Sequence, residues 1–172
     1  MSEINIIHDW FCNVNILLCG TAEEINAVCA AVKTVITDVP FDAGESIQIS
    51  ETRTIVCEDD VRALAIAVSK AAPNAGFEMN GLINTESTAG ELMDFCVKFK
   101  NGSLSAAFLD CYIEAYMPAY ESYEDFCDSF CDCTPEEYEA LADCEFIYLV
   151  ETEGGEKLCT EVLLGEAEEL AY

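Results

Sequence analysis

Two hydrophobic rhythms alternate along the chain, one of period two and one near 3.6. Trp10 to Cys19 is rich in β-formers and stops at Gly20, which predicts a strand. Thr21 follows with Glu24 three residues on, the pattern of a capping box. Ile25, Val28, Cys29, Val32 and Ile36 then fall at helical spacing, and the helix is expected to stop before Pro40. Ser46 to Cys57 reads as a second strand. Asp59 or Asp60 is expected to cap a second helix with Val61, Leu64, Ala65 and Val68 on its apolar face. Pro73, Asn74 and Gly76 end that helix. Phe77, Met79, Gly81 and Ile83 alternate along a third strand.

The clearest local signal is a hairpin. Met93, Phe95, Val97 and Phe99 alternate with Asp94, Cys96, Lys98 and Lys100. Asn101-Gly102 follows, the pair best suited to the positive φ angles of a type I′ turn. Beyond it Leu109, Cys111, Ile113, Ala115 and Met117 alternate with Asp110, Tyr112, Glu114 and Tyr116. A helix is expected from Pro118 to Phe130, and another from Pro135 to Ala142 with Thr134 as its cap. Phe146–Val150, a Gly154-Gly155 turn and Leu158–Leu164 complete a second hairpin. Strands joined by tight turns pair antiparallel, and helices over one face of such a sheet make an α+β fold. The expected architecture is a ferredoxin-like core with added hairpins.

The 172 residues suit one domain, and 52% hydrophobic composition is ample for a core. Charge changes the picture. Asp and Glu number 34 against 7 Lys and Arg, for a formal net charge of −27. A direct nucleic-acid binder needs a cationic face, and an anionic membrane would repel this chain, so both are excluded as partners. The charge is uneven: residues 121–172 hold 17 acids and a single base, Lys157. That stretch is expected to be an acidic layer or an appended C-terminal subdomain. The first residues carry acids at Glu3 and Asp9 and no base, unlike a secretory signal. The longest uncharged stretch, Trp10 to Ala22, falls short of the roughly 20 apolar residues of a membrane span. A cytoplasmic location follows as the expectation, in which the 11 cysteines are thiols, many of them packed as small hydrophobes.

Three constellations carry candidate chemistry. Cys127, Cys131, Cys133 and Cys144 lie close enough in sequence for a zinc or iron–sulfur site, since thiolates are the preferred soft ligands. Their spacing is not that of paired C-x2-C knuckles, and a cysteine-rich core seam explains them as simply. Tyr116, Tyr120, Tyr123, Cys127 and Phe130 form an aromatic stripe near helical spacing, read as packing or as a surface for a partner. Glu136, Glu137 and Glu139 join Tyr116, Tyr120 and Tyr123 as candidate partner contacts. His8, the single histidine, stands near Cys12 without a motif that makes the two a catalytic couple. Neither G-x-G-x-x-G nor G-x-x-x-x-G-K-[ST] occurs.

Three functions follow. The first is a non-catalytic acidic protein that binds a basic protein, in its strongest form by mimicking DNA phosphates. The second is a cysteine-rich metal protein. The third is an enzyme using carboxylate acid–base chemistry near the hairpin tyrosines. An exposed edge strand also permits a homodimer.

Overall fold

The computed structural model describes residues 12–43, 46–84, 91–128, 134–152, 154–159, 164 and 166–172. Strand β1 (Cys12–Cys19) sends Cys12, Val14 and Ile16 into the core and Asn13, Asn15 and Leu17 to the opposite face. After it come α1 (Ala22–Val35), β2 (Asp42–Ala43), β3 (Ser46–Thr52), α2 (Glu58–Ala71) and β4 (Gly76–Asn84). The long hairpin follows as β5 (Glu91–Lys100) and β6 (Ser103–Tyr116). Beyond it lie a 3-10 turn over Met117–Ala119, α3 (Tyr123–Cys127) and α4 (Pro135–Leu141). The last strands are β7 (Phe146–Thr152), β8 (Gly155–Cys159) and β9 (Glu168–Leu170).

The described strands form one sheet in the order β2-β3-β1-β4-β5-β6-β7-β8, with β9 also beside β6. Every pairing is antiparallel. β6 is long enough to hold two neighbours on one edge, β9 along Leu104–Ala106 and β7 along Cys111–Tyr116. The fold is therefore α+β. The first four strands follow a β-α-β-β-α-β plan in the order β2-β3-β1-β4. β2 is only two residues long, so the ferredoxin-like expectation turns on a very short strand.

α1 and α2 cover one face. Val28 and Val32 from α1, with Val61, Leu64, Ala65 and Val68 from α2, share a core with Val14, Ile16, Ile49, Met79, Phe95 and Val97. Both helices start as their sequences require. Thr21 accepts from the Glu24 N–H at 3.3 Å while Glu24 accepts from the Thr21 N–H at 2.8 Å. The N-cap of α2 is Cys57 rather than Asp59 or Asp60. Asp60 instead reaches back to accept from the N–H groups of Val56 at 3.0 Å and Cys57 at 3.2 Å.

Gly81 is fixed by close approach. A Cβ there would lie 2.0 Å from the Asn13 carbonyl oxygen and 2.7 Å from the Phe95 ring, so only glycine lets the three central strands meet. The hairpin turn has φ of 55° at Asn101 and 77° at Gly102, as its sequence demands. A second, smaller core gathers Met117, Phe126 and Ile147 with Tyr120, Tyr138 and Leu141. It seats α3 and α4 over the β6–β7 end of the sheet. Ile147 points to the side opposite Tyr148, which packs with Leu82, Leu92 and Leu109 on the outer face.

Two expected boundaries move. β3 ends at Thr52 rather than Cys57, because Asp38 captures the next turn through Thr52, Arg53 and Thr54. The helix expected over 118–130 divides into the 3-10 turn holding Pro118 and a short α3 begun by Ser122. No described helix is long and apolar enough to cross a membrane.

Candidate functional site

The acidic third of the chain becomes a surface through α3 and α4. Ser122 caps α3 by accepting from the Asp125 N–H at 3.2 Å. Thr134 accepts from the Glu137 N–H at 3.3 Å, and Glu137 accepts from the Thr134 N–H at 2.8 Å. Phe126, fully buried, holds the two helices together. Its ring meets Tyr120 edge-on at 5.1 Å and Tyr138 at 5.5 Å. Turning these apolar groups inward leaves the carboxylates outward. Glu121, Glu124, Asp125, Asp128, Glu136, Glu137, Glu139, Asp143 and Glu145 are all exposed.

No Lys, Arg or His occurs between Lys100 and Lys157 to neutralise them. Arg62 and Lys98 pair instead with Glu58, Asp59, Glu168 and Glu78. Acids in the first turns of α3 and α4 also sit at the favourable end of each helix dipole.

Tyr120 and Tyr123 are half-buried, and the Tyr123 ring meets Tyr138 edge-on at 5.7 Å. The backbone of Tyr116 ends β6, as its place before Pro118 implies. Of the partner-contact glutamates, Glu137 also closes the α4 cap, while Glu136 and Glu139 are free of that duty. Cys127 and Cys144 are half-buried thiols, and Cys131 and Cys133 lie outside the described residues. Among the described residues, no three His, Cys, Asp or Glu side chains are grouped to hold a metal ion. His8 also lies outside them. Burial, aided by the negative charge of Asp60, pushes the Cys12 thiol up to about 12, the opposite of an activated nucleophile.

The sheet face opposite the helices carries a concavity of about 720 Å³ across β3, β1, β4 and β5. Strand register sets its floor. Gln48, Asn15, Asn80 and Cys96 lie side by side in one row, with Asn13, Leu82 and Asp94 in the next. The Asn13 side-chain oxygen accepts from the Glu51 N–H at 2.9 Å, where the β1–β3 register shifts and Glu51 adopts a φ of 60°. The Asn15 side-chain oxygen is buried and has no hydrogen-bond partner among the described residues. Burial raises Asp94 above the ordinary carboxylate range, and a hydrogen bond from the Phe95 backbone only partly offsets this.

No family model, curated protein or solved structure matches this chain.

The sequence carries one mark of the concavity. Asn is disfavoured in strands, yet Asn13, Asn15 and Asn80 occupy outward positions on two central ones. A merely solvated face would more commonly carry Thr, Lys or Glu.

Proposed function

We propose that this chain is a non-catalytic binding protein that presents the carboxylates of residues 121–145 to a basic protein partner. The observation that carries this reading is the exposure of every described carboxylate of that stretch on α3, α4 and the adjoining turns, with no base between Lys100 and Lys157 in the sequence. A net charge of −27 far exceeds the roughly 2–8 that keeps a small domain soluble, and the excess destabilises the fold through self-repulsion. A single-sign surface speeds encounter with a complementary one and rejects like-charged competitors. In its strongest form the carboxylates stand in for phosphates and occupy the site of a DNA-binding protein.

The test is capture from cell extract by the full chain at about 0.5 M salt, where the screening length is only a few ångströms and diffuse attraction is suppressed. The comparison is a variant carrying Glu124→Gln, Asp128→Asn, Glu136→Gln and Glu139→Gln, which spares the capping Glu137. The reading expects a basic protein held by the wild type and released by the variant. An identical set held by both would overturn it, as would capture of nothing basic.

A further inference from the structure

We propose that the concavity on the outer sheet face binds a linear aliphatic diamine, one ammonium at the Asn15 end and the other at Asp94. The inference is independent of the acidic helical pair and rests on the floor of the sheet.

Asn15 supplies a buried side-chain oxygen that accepts from nothing described. Such an acceptor is costly unless a donor reaches it, and an ammonium brings three donors and no acceptor. Asp94 is the one carboxylate among the described lining residues, and no base is among them. Lys98, two residues from Cys96 on this face, already stands 3.6 Å from Glu78. The described lining therefore has negative charge and acceptor capacity with no cation of its own.

Register sets the shape of the ligand. Asn15 pairs with Asn80, Asn80 with Cys96, and Asp94 is two residues from Cys96 on the same face. Two strand spacings of about 4.8 Å and two residues of about 3.3 Å put the Asn15 and Asp94 backbones about 12 Å apart. One ammonium cannot touch both side chains over that span, whereas a short chain with a donor at each end can. Between the two ends lie the Asn80 amide and the apolar Leu82, with Leu164 also lining the space, a suitable bed for methylene groups. Leu17 on the same face is 50% exposed, so this side of the sheet is not sealed by the helices.

The experiment is an amide-resolved NMR titration of the full chain with 1,4-diaminobutane in about 0.15 M KCl. Controls are butane-1,4-diol, 1-butylamine, magnesium ion and a lysine-rich peptide. The proposal expects one-to-one binding with shifts centred on Asn13, Asn15, Asn80 and Asp94. Both the diol and the monoamine should bind at least about tenfold more weakly. Asp94→Asn, nearly isosteric and on a partly buried strand position, should weaken the diamine by a similar factor. The helix variant Glu136→Gln with Glu139→Gln should leave it unchanged. Shifts spread over residues 121–145, equal binding of magnesium, or full affinity in Asp94→Asn would overturn the proposal. So would tighter binding of the peptide at the same residues, which would assign the site to a partner's lysine. Asn15→Leu, if it folds, should abolish the shifts at the β1 end.

Discussion

Arg62 donates to Glu168 through Nε at 2.9 Å and Nη2 at 2.6 Å, joining α2 to β9 across 106 residues of chain. The same guanidinium reaches Glu58 at 2.6 Å and Asp59 at 3.1 Å, and lies 4.6 Å from the centre of the Phe108 ring. Partial burial lowers its proton affinity. Hydrogen bonds and charge from Glu168 and Glu58 more than reverse this, so it stays charged at any accessible pH. In a chain with 34 acids and 7 bases, one base is shared among three carboxylates.

Arg62→Met should therefore cost about 1–2 kcal/mol, the scale of charge-assisted hydrogen bonds in a half-exposed setting. The loss should concentrate on β9. Hydrogen exchange should show faster amides over Glu168–Leu170, while the amides of β1 and β4 keep their protection.

Gly81→Ala places a methyl group 2.0 Å from a backbone oxygen that cannot swing aside. The expected loss is about 3 kcal/mol in urea unfolding, on the scale of overpacked cores. Gly155, whose added Cβ would meet nothing within 4 Å, has no such crowding, and the strain of a methyl there comes only from its φ of 103°.

Phe126→Ala tests whether the smaller core is a separate cooperative unit. Truncating a fully buried phenylalanine costs about 3 kcal/mol or more. The account expects exchange protection to vanish across α3 and α4 while Val28, Ile16 and Met79 remain protected. Loss of protection throughout would show the two cores to be one unit.

Asp38 accepts from the Thr54 hydroxyl at 2.5 Å, the Arg53 N–H at 2.6 Å and the Thr52 hydroxyl at 2.8 Å. Burial raises its carboxyl, but these hydrogen bonds outweigh it and hold the group at about 2. A depressed carboxyl contributes stability above its unfolded value of about 3.9 and loses it as pH falls through about 2. Asp38→Asn should thus be less stable than wild type at neutral pH, with the gap closing on acidification over that window. Because Asp38 is exposed, the gap should stay below about 1 kcal/mol.

Local chemistry made much of the fold legible. Thr21 with Glu24 marked one helix start and Thr134 before Pro135 another, because such capping signals are self-contained within a few residues. Asn101-Gly102 marked the turn, because few other pairs tolerate two positive φ angles. What escaped depended on distant partners. Glu168 looks like an acidic tail until Arg62 and the edge of β6 meet it. The end of β3 depends on Asp38, an acid in the loop after α1. Asn13, Asn15 and Asn80 become one surface only when β1 and β4 pair. The acidic surface was legible as charge, but its separation from the aromatic residues required the packing of Phe126 between Tyr120 and Tyr138.

The central claim is most directly tested by carboxyl footprinting of the captured complex, using carbodiimide labelling read by mass spectrometry. The account predicts that partner binding protects Glu124, Asp125, Asp128, Glu136 and Glu139, and leaves Asp38, Glu78 and Glu168 as reactive as in the free chain. Protection centred on those latter three carboxylates, or none at residues 121–145, would contradict it.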